Sequence, residues 1–300
     1  MPRKQAAKIM ERRQIRRDDA STWWRTRVPG RVRMRKARPD ECAVLTKATA
    51  AYRARNQIGD VSGYEKWNGS DTMAAFVRDG YDARAGPYCA GRASAGSVAG
   101  HEKWLDGLRH LMPADGRVVD LGCGCGLPIC KYFCERGYVV EGFDISEEMI
   151  RLARDTAIVG TAQPMGPAFN VANLEHLDFE KETLSVVVSL FTISHLPRAR
   201  HAALFRRIFS WLKDGGAAFL SLGASDNAAS RGTWQGVPMV WSHFDAETNL
   251  RLLEDAGFEI AWQELEEREA PRQAGKHARE VGEPTKVLFV VARRPAPDME

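Results

Sequence analysis

The chain has 300 residues, 44% of them apolar and 27% charged, with a formal net charge of +4. That is enough length and apolar content for one large α/β domain with an extension. No window approaches eighteen uninterrupted apolar residues, and no charged n-region precedes an apolar h-region at the N-terminus, which excludes a membrane span and a secretory signal and makes a cytoplasmic location the expectation.

The charge is unevenly spread. Residues 1 to 40 hold fourteen Lys/Arg against four Asp/Glu, so the other 260 residues are mildly acidic. A basic arm of this kind suits phosphate contacts with nucleic acid or an anionic membrane, or an organelle transit segment. Its composition equally suits a disordered leader, with Met34 as a later start. Trp23 and Trp24 within it favour contact with a partner. Residues 31 to 60, from Arg31-Val-Arg-Met-Arg through Pro39-Asp40-Glu-Cys-Ala-Val-Leu45, read as a short strand, a capped turn and a helix to about Arg55. Under thirty residues of this resemble the opening of GNAT-type acetyltransferases, but no Gly-rich pyrophosphate loop follows before residue 116. The segment 1–72 is therefore expected to be an N-terminal extension, partly disordered, whose likeness to another fold is a remnant or a coincidence, with the main domain at 73–300.

From Asp71 the texture changes to Phe76-Val-Arg-Asp-Gly-Tyr81-Asp82-Ala-Arg-Ala-Gly-Pro-Tyr88. A helical pattern then runs from Ser97 to Met112, with Trp104, Leu105, Leu108 and Leu111 on one face. Next comes Arg117-Val-Val-Asp120-Leu-Gly122-Cys123-Gly124-Cys-Gly126-Leu-Pro128, an apolar strand that meets three alternate glycines and then a helix to about Arg136. Glycines let the backbone approach a ligand, and a helix start offers unpaired N–H groups. Leu127 stands where a dinucleotide loop would have its last glycine, and Asp120 suits a cofactor with a cation near the turn.

A second strand, Tyr138-Val-Val-Glu-Gly-Phe-Asp144, ends in an acid about twenty residues past the loop, placed to accept both hydroxyls of a ribose. Ile145 supplies an apolar wall for an adenine, and Ser146 caps the next helix. The glycine loop and the Asp144 segment, taken together, resemble the first two motifs of class I S-adenosylmethionine-dependent methyltransferases, specifically a bacterial small-molecule branch, over residues about 76 to 294. The resemblance implies a Rossmann-like seven-stranded α/β sheet, mostly parallel with an antiparallel last strand and helices on both faces. It implies S-adenosyl-L-methionine as cofactor, held by Asp120, Gly122, Cys123, Gly124, Gly126, Asp144, Ile145, Asn173, Leu174 and Phe191. It also makes the Tyr-Asp-x-x-Ala-x-x-Tyr segment a lid whose Tyr81 and Tyr88 reach over cofactor and substrate.

The remaining strands are expected near 168–171, 184–191, 217–222, Phe258 and 287–292, with helices at 201–211 and 246–256. Two departures from the family stand out. Asn173 replaces an acid that accepts from the adenine amino group, and Ser185 replaces an Asp that anchors the fourth strand, for which an effect on stability is expected. The fourth strand ends in Thr192-Ile-Ser-His195-Leu-Pro197, and ligands in open α/β sheets lie at the carboxyl ends of the strands. After the fifth strand, Trp234-Gln-Gly-Val-Pro-Met239-Val-Trp241-Ser-His243-Phe-Asp245 reads as a loop that closes over the methyl group. His195 and His243 are thus the candidate general bases, and Trp234, Met239 and Trp241 the candidate substrate contacts.

Six cysteines, four of them at Cys123, Cys125, Cys130 and Cys134, do not have a zinc spacing, and two lie in the cofactor loop, so no metal is expected. Cys130 and Cys134 share a helix face and read as core thiols. The expected function is methyl transfer to the O or N of a small molecule by in-line displacement, with alignment as the main catalytic effect. The alternatives are a non-catalytic S-adenosylmethionine-binding regulator and an RNA methyltransferase using the basic arm.

Overall fold

The computed structural model describes residues 70–93, 105–106, 109–156, 158, 163, 166–267 and 286–297. The basic arm, its two tryptophans and the strand–helix expected at 31–60 lie outside the described residues, as does most of the helix expected at 97–112. Of that helix, Leu105 and Asp106 are helical and Arg109–Leu111 form a 3-10 turn.

Apolar runs buried on both faces build the inner strands of one seven-stranded sheet. Strands β1 (Arg117–Leu121), β2 (Val139–Asp144), β3 (Ala168–Val171), β4 (Leu184–Ser189) and β5 (Leu212–Gly223) run parallel. After a two-stranded hairpin come β8 (Glu259–Glu267) and β9 (Lys286–Arg293), and the order across the sheet is β3-β2-β1-β4-β5-β9-β8. The last strand enters between β5 and β8, antiparallel to both. Successive residues point to opposite faces, so Val118, Val186, Phe219 and Phe289 join one buried cluster and Val119, Val187, Leu220 and Leu288 the other.

Helices cover both clusters. On one face lie α2 (Ile129–Glu135) and α3 (Glu147–Asp155), on the other α4 (His201–Trp211) and α5 (Ala246–Asp255). Their starts follow ordinary capping chemistry. Ser146 Oγ accepts from the Met149 N–H, and an Asp245 carboxylate oxygen accepts from the Thr248 N–H. Cys130 and Cys134 are fully buried on α2 within the first cluster.

A third cluster stands at the carboxyl ends of the strands. Helix α1 (Ser70–Ala93) packs Met73 and Val77 against Val237, Met239, Val240 and Trp241 of a hairpin made of β6 (Asn227–Trp234) and β7 (Val237–His243). This corrects the reading of 234–245 as a loop. Gln235 and Gly236 both have positive φ, 48° and 85°, the turn conformation that lets two strands reverse direction with matching twist. Residues Trp234↔Val237 and Gly232↔Met239 then pair across it. The aromatic and apolar richness of the segment is that of a half-buried strand.

Candidate active site

Helix α1, the glycine loop, the ends of β2 and β4 and the turn after β3 line a cavity that is partly open to solvent, with about 710 Å³ of empty space when its solvent-filled mouth is counted. At its floor the chain leaves β1 with Gly122, Gly124 and Gly126 all at positive φ. Each glycine answers a different constraint. A Cβ on Gly122 would lie 2.0 Å from Thr192 Oγ1, so this glycine lets the ends of β1 and β4 meet. One on Gly126 would lie 2.6 Å from the Phe169 ring, so that position serves packing of the loop onto β3. Gly124 faces the cavity, where a Cβ would stand 3.6 Å from the Tyr88 ring and occupy the space along the loop.

Asp144 closes the floor. Its two carboxylate oxygens accept from the Gly124 and Ser146 N–H groups, each at 2.9 Å. Burial pushes this carboxyl up to about 6, against the pull of those two N–H groups. Neighbouring Ile145 and Met149 add an apolar wall, and Asn173, Leu174 and Glu175 line the side next to β3. Asn173 Oδ1 accepts from the Glu175 N–H at 3.0 Å, which shapes the turn.

At the opposite end His195 follows β4 in a 3-10 turn and is 8% exposed. Its Nδ1 lies 2.8 Å from the Val240 carbonyl and its Nε2 3.0 Å from the Tyr81 hydroxyl. A carbonyl only accepts, so Nδ1 carries the proton, and Nε2 accepts from the Tyr81 O–H. Burial lowers the His195 pKa to about 4, so the ring is neutral at pH 7. Tyr81 stands edge-on to Tyr88 and packs on Trp234, with ring centroids 6.4 and 5.1 Å apart. Between the two ends Phe191 adopts φ +59°, a conformation costly for a bulky residue, and donates its N–H to Ser221 Oγ at 2.6 Å.

The cavity thus brings together Gly122, Gly124, Asp144, Ile145, Asn173, Leu174, Phe191, Tyr81, Tyr88 and His195 of the residues singled out from sequence. Others lie elsewhere. Asp120 is 3% exposed in β1 beneath the loop, where Cys130 Sγ donates to it, and burial pushes its carboxyl up to about 7. Cys123 is buried in the same cluster as Cys130. Met239 is fully buried between hairpin and α1, while Trp241 is 2% exposed with its ring centroid 5.9 Å from that of His195. Trp234 backs the two tyrosines.

His243 requires the plainest correction. It sits at the end of β7 against Gly223, with Nδ1 2.5 Å from the Ser225 carbonyl and Nε2 3.4 Å from Asn227 Nδ2. It does not line the cavity, because the hairpin turns its side chain back onto β5. Asp82 was passed over although it stands beside Tyr81. Its carboxylate accepts from Ser146 Oγ at 2.5 Å and from the Glu148 N–H at 3.2 Å, fastening α1 to the start of α3 two residues past Asp144.

The fold and site define a Rossmann-like methyltransferase domain with helix α1 packed along the cavity. A family model described as a methyltransferase domain matches residues 99–263, more than half of the chain, and the chain belongs to that family. Phosphoethanolamine N-methyltransferase 1 from Triticum aestivum is 30% identical over 180 residues, which is 56% of this chain and 33% of that protein. A ubiquinone biosynthesis O-methyltransferase from Xanthomonas axonopodis pv. citri is 31% identical over 112 residues, 37% of this chain and 44% of that protein. The chain thus spans less than half the length of either relative. A crystal structure of a SAM-dependent methyltransferase from Methanosarcina mazei shares the fold, with a TM-score of 0.52 at 19% identity over 63% of this chain and 97% of that one.

S-adenosyl-L-methionine is accordingly the cofactor, and the residues present suit it. The cavity offers a side-chain-free stretch at Gly124, an acceptor carboxylate at Asp144 and apolar walls at Ile145, Met149 and Leu174. Among the described residues no helix is long and apolar enough to cross a membrane.

Proposed function

We propose that the protein methylates a hydroxyl group of a small, uncharged acceptor that enters beside Tyr81 and His195. The observation that carries this reading is the hydrogen-bonded chain from the Val240 carbonyl through His195 to the Tyr81 hydroxyl at the cavity wall. An oxygen nucleophile must shed a proton as it attacks, and this chain offers a fixed acceptor for one.

The cofactor supplies a methyl group already activated on a sulfonium. As the acceptor oxygen took up that methyl group, its proton would pass to the Tyr81 hydroxyl while that hydroxyl handed its own to His195 Nε2. A nitrogen whose pKa is lowered to about 4 is a weak base, so its contribution falls toward the low end of the roughly 10² to 10⁴ typical of general bases. Alignment is the larger effect. Phe191 and Thr192 at the end of β4, and Tyr81 on α1, bound the space in which the acceptor must meet the methyl group, and holding reactants in line is worth on the order of 7 to 11 kcal/mol.

The uncharged acceptor follows from the lining. Ala74, Val77, Leu196 and Pro197 make the wall apolar, and among the described residues that line the cavity there is no Lys or Arg. A phosphate brought there, as in the substrate named for the wheat relative, would meet the Asp144 and Glu175 carboxylates, with Arg92 standing behind Tyr88 as the cation beside the described lining. Release of S-adenosylhomocysteine should be screened across neutral phenols and alcohols, amines and phosphorylated amines. Turnover of phosphoethanolamine in preference to every neutral hydroxyl compound would refute the reading.

A further inference from the structure

We propose that Arg207 is a positioning residue for the cofactor's adenine, acting through the turn between β3 and β4. This rests on the reading that Asn173 and Leu174 receive the adenine. Arg207 lies on α4, on the far side of that turn from the cavity, and does not line the cavity itself. Its Nη1 donates to the carbonyls of Glu175 at 2.9 Å and Leu177 at 2.8 Å, and its Nη2 to that of Leu174 at 3.1 Å.

Three carbonyls of one short turn therefore converge on one half-buried guanidinium. Carbonyls in such a turn have no sheet or helix partner, and backbone groups withdrawn from water must find one. A planar fork holds its donors at fixed, separated positions that suit three carbonyls along a turn, whereas a lysine ammonium gathers its three donors on one nitrogen at the end of a flexible stem. The same helix and the 3-10 turn just before it supply two further ties. Arg200 Nε lies 3.4 Å from Glu175 Oε1, and Trp211 Nε1 donates to Asp178 Oδ1 at 2.9 Å. The guanidinium also packs on the Trp211 ring, 5.7 Å from its centroid.

The consequence for the site lies at the start of the turn. Asn173 has one amide oxygen engaged by the Glu175 N–H, so the direction its amide faces is set by where Glu175 sits, and Arg207 holds the Glu175 carbonyl. Removing the guanidinium frees the turn and with it the orientation of the groups that meet the adenine edge. The main sheet, built on other contacts, stays as it is.

The test uses the full chain and calorimetric binding of two ligands, S-adenosylhomocysteine and its 6-oxo counterpart S-inosylhomocysteine, with Arg207→Met and Arg207→Lys. The parent is expected to prefer the adenine ligand. Arg207→Met should bind S-adenosylhomocysteine up to about tenfold more weakly and lose most of that preference, since a neutral hydrogen bond of the kind the adenine edge makes is worth up to about a decade in affinity. Arg207→Lys should fall between, and it stands in should the Met variant fail to fold. Amide hydrogen exchange at residues 174–178 should speed up in both while β1 and β4 remain protected. A merely structural role would lower the melting temperature and leave the ligand preference intact, and that result overturns the proposal. A parent that does not distinguish the two ligands overturns the adenine reading and the proposal with it.

Discussion

Replacing Asp144 with alanine tests the cofactor floor most directly. Each carboxylate oxygen already accepts one backbone N–H, from Gly124 or Ser146, and keeps a further lone pair that faces the cavity. Two ribose hydroxyls would occupy those positions. Hydrogen bonds to a charged group are worth about 1.5–3 kcal/mol each, so losing both should weaken binding by roughly 10² to 10⁴. Asp144→Asn keeps the shape but sets an amide NH₂ against one of the two backbone N–H donors, so it should lie between parent and alanine. Protonation gives a second handle. The carboxyl is held at about 6 by burial, and the ionised form is the better acceptor, so affinity of the parent should fall as pH drops from 7 to 5. The alanine variant should show no such slope. Calorimetry with S-adenosylhomocysteine at both pH values reads these effects. A dissociation constant within threefold of the parent, or an unchanged slope in Asp144→Ala, would show that this carboxylate does not hold the ribose.

Gly124→Val should abolish S-adenosylhomocysteine binding by calorimetry while costing about 1–3 kcal/mol in urea unfolding, because φ +54° is strained for a β-branched residue and its side chain fills the cavity floor. Ser185→Ala should leave stability unchanged or raise it by up to about 1 kcal/mol, since the Ser185 hydroxyl is buried with no hydrogen-bond partner among the described residues; a loss above 1 kcal/mol in urea unfolding would contradict this. Asp120→Asn should stabilise the fold by on the order of a few kcal/mol at pH 8 and by much less at pH 5. The folded-state pKa of Asp120, raised to about 7, lies above its unfolded value, so the contribution of the native carboxyl is present at low pH and lost as pH rises toward 7; equal effects at the two pH values would refute it. Tyr81→Phe and His195→Gln should each lower kcat with little change in the cofactor dissociation constant, and the acid limb of kcat should not fall near 6.5, because the folded histidine stays neutral down to about 4.

The sheet and its floor were readable in sequence because local signals agreed with the final packing. The inner strands of the main sheet are apolar runs bounded by turn residues, and the glycine loop and Asp144 owe their places to adjacent elements, twenty residues apart. Ser146 and Asp245 announced helix starts by their own side-chain chemistry. What escaped depends on contacts distant in sequence. Gln-Gly is a weaker turn signal than Asn-Gly, and β7 is buried along Met239-Val240-Trp241-Ser242 without an apolar–polar alternation, so the β6–β7 hairpin read as a loop and His243 was drawn toward a cavity from which its backbone turns it away. Asp82 had no local clue, since its partners lie 64 and 66 residues on. Arg207 sits in an amphipathic helix pattern where an arginine reads as one more solvated residue.

Helix α1 sharpens that contrast. It contains Gly80, Gly86 and Gly91, and Pro87, which cannot donate to the Ala83 carbonyl, so its intrinsic helix preference is poor. A helix of such composition exists because of what it packs against. Met73 and Val77 are buried on the hairpin, a Cβ on Gly80 would press to within 2.9 Å of the Met239 side chain, and Asp82 is fixed at the start of α3. The same helix presents Tyr81 to His195 and Tyr88 to Gly124, one residue at each end of the cavity. Acceptor end and cofactor end therefore share a wall whose order is tertiary in origin. The Ser146 to Asp82 hydrogen bond lies next to the Ser146 to Asp144 bond, so the anchor of α1 and the anchor of Asp144 are consecutive links in one short chain. Cutting the first with Asp82→Ala removes no cavity-lining side chain but frees the helix that carries Tyr81. It should nonetheless cost activity through the Tyr81–His195 pair, which a drop in kcat with an unchanged melting temperature of the core would register and an unaltered kcat would refute.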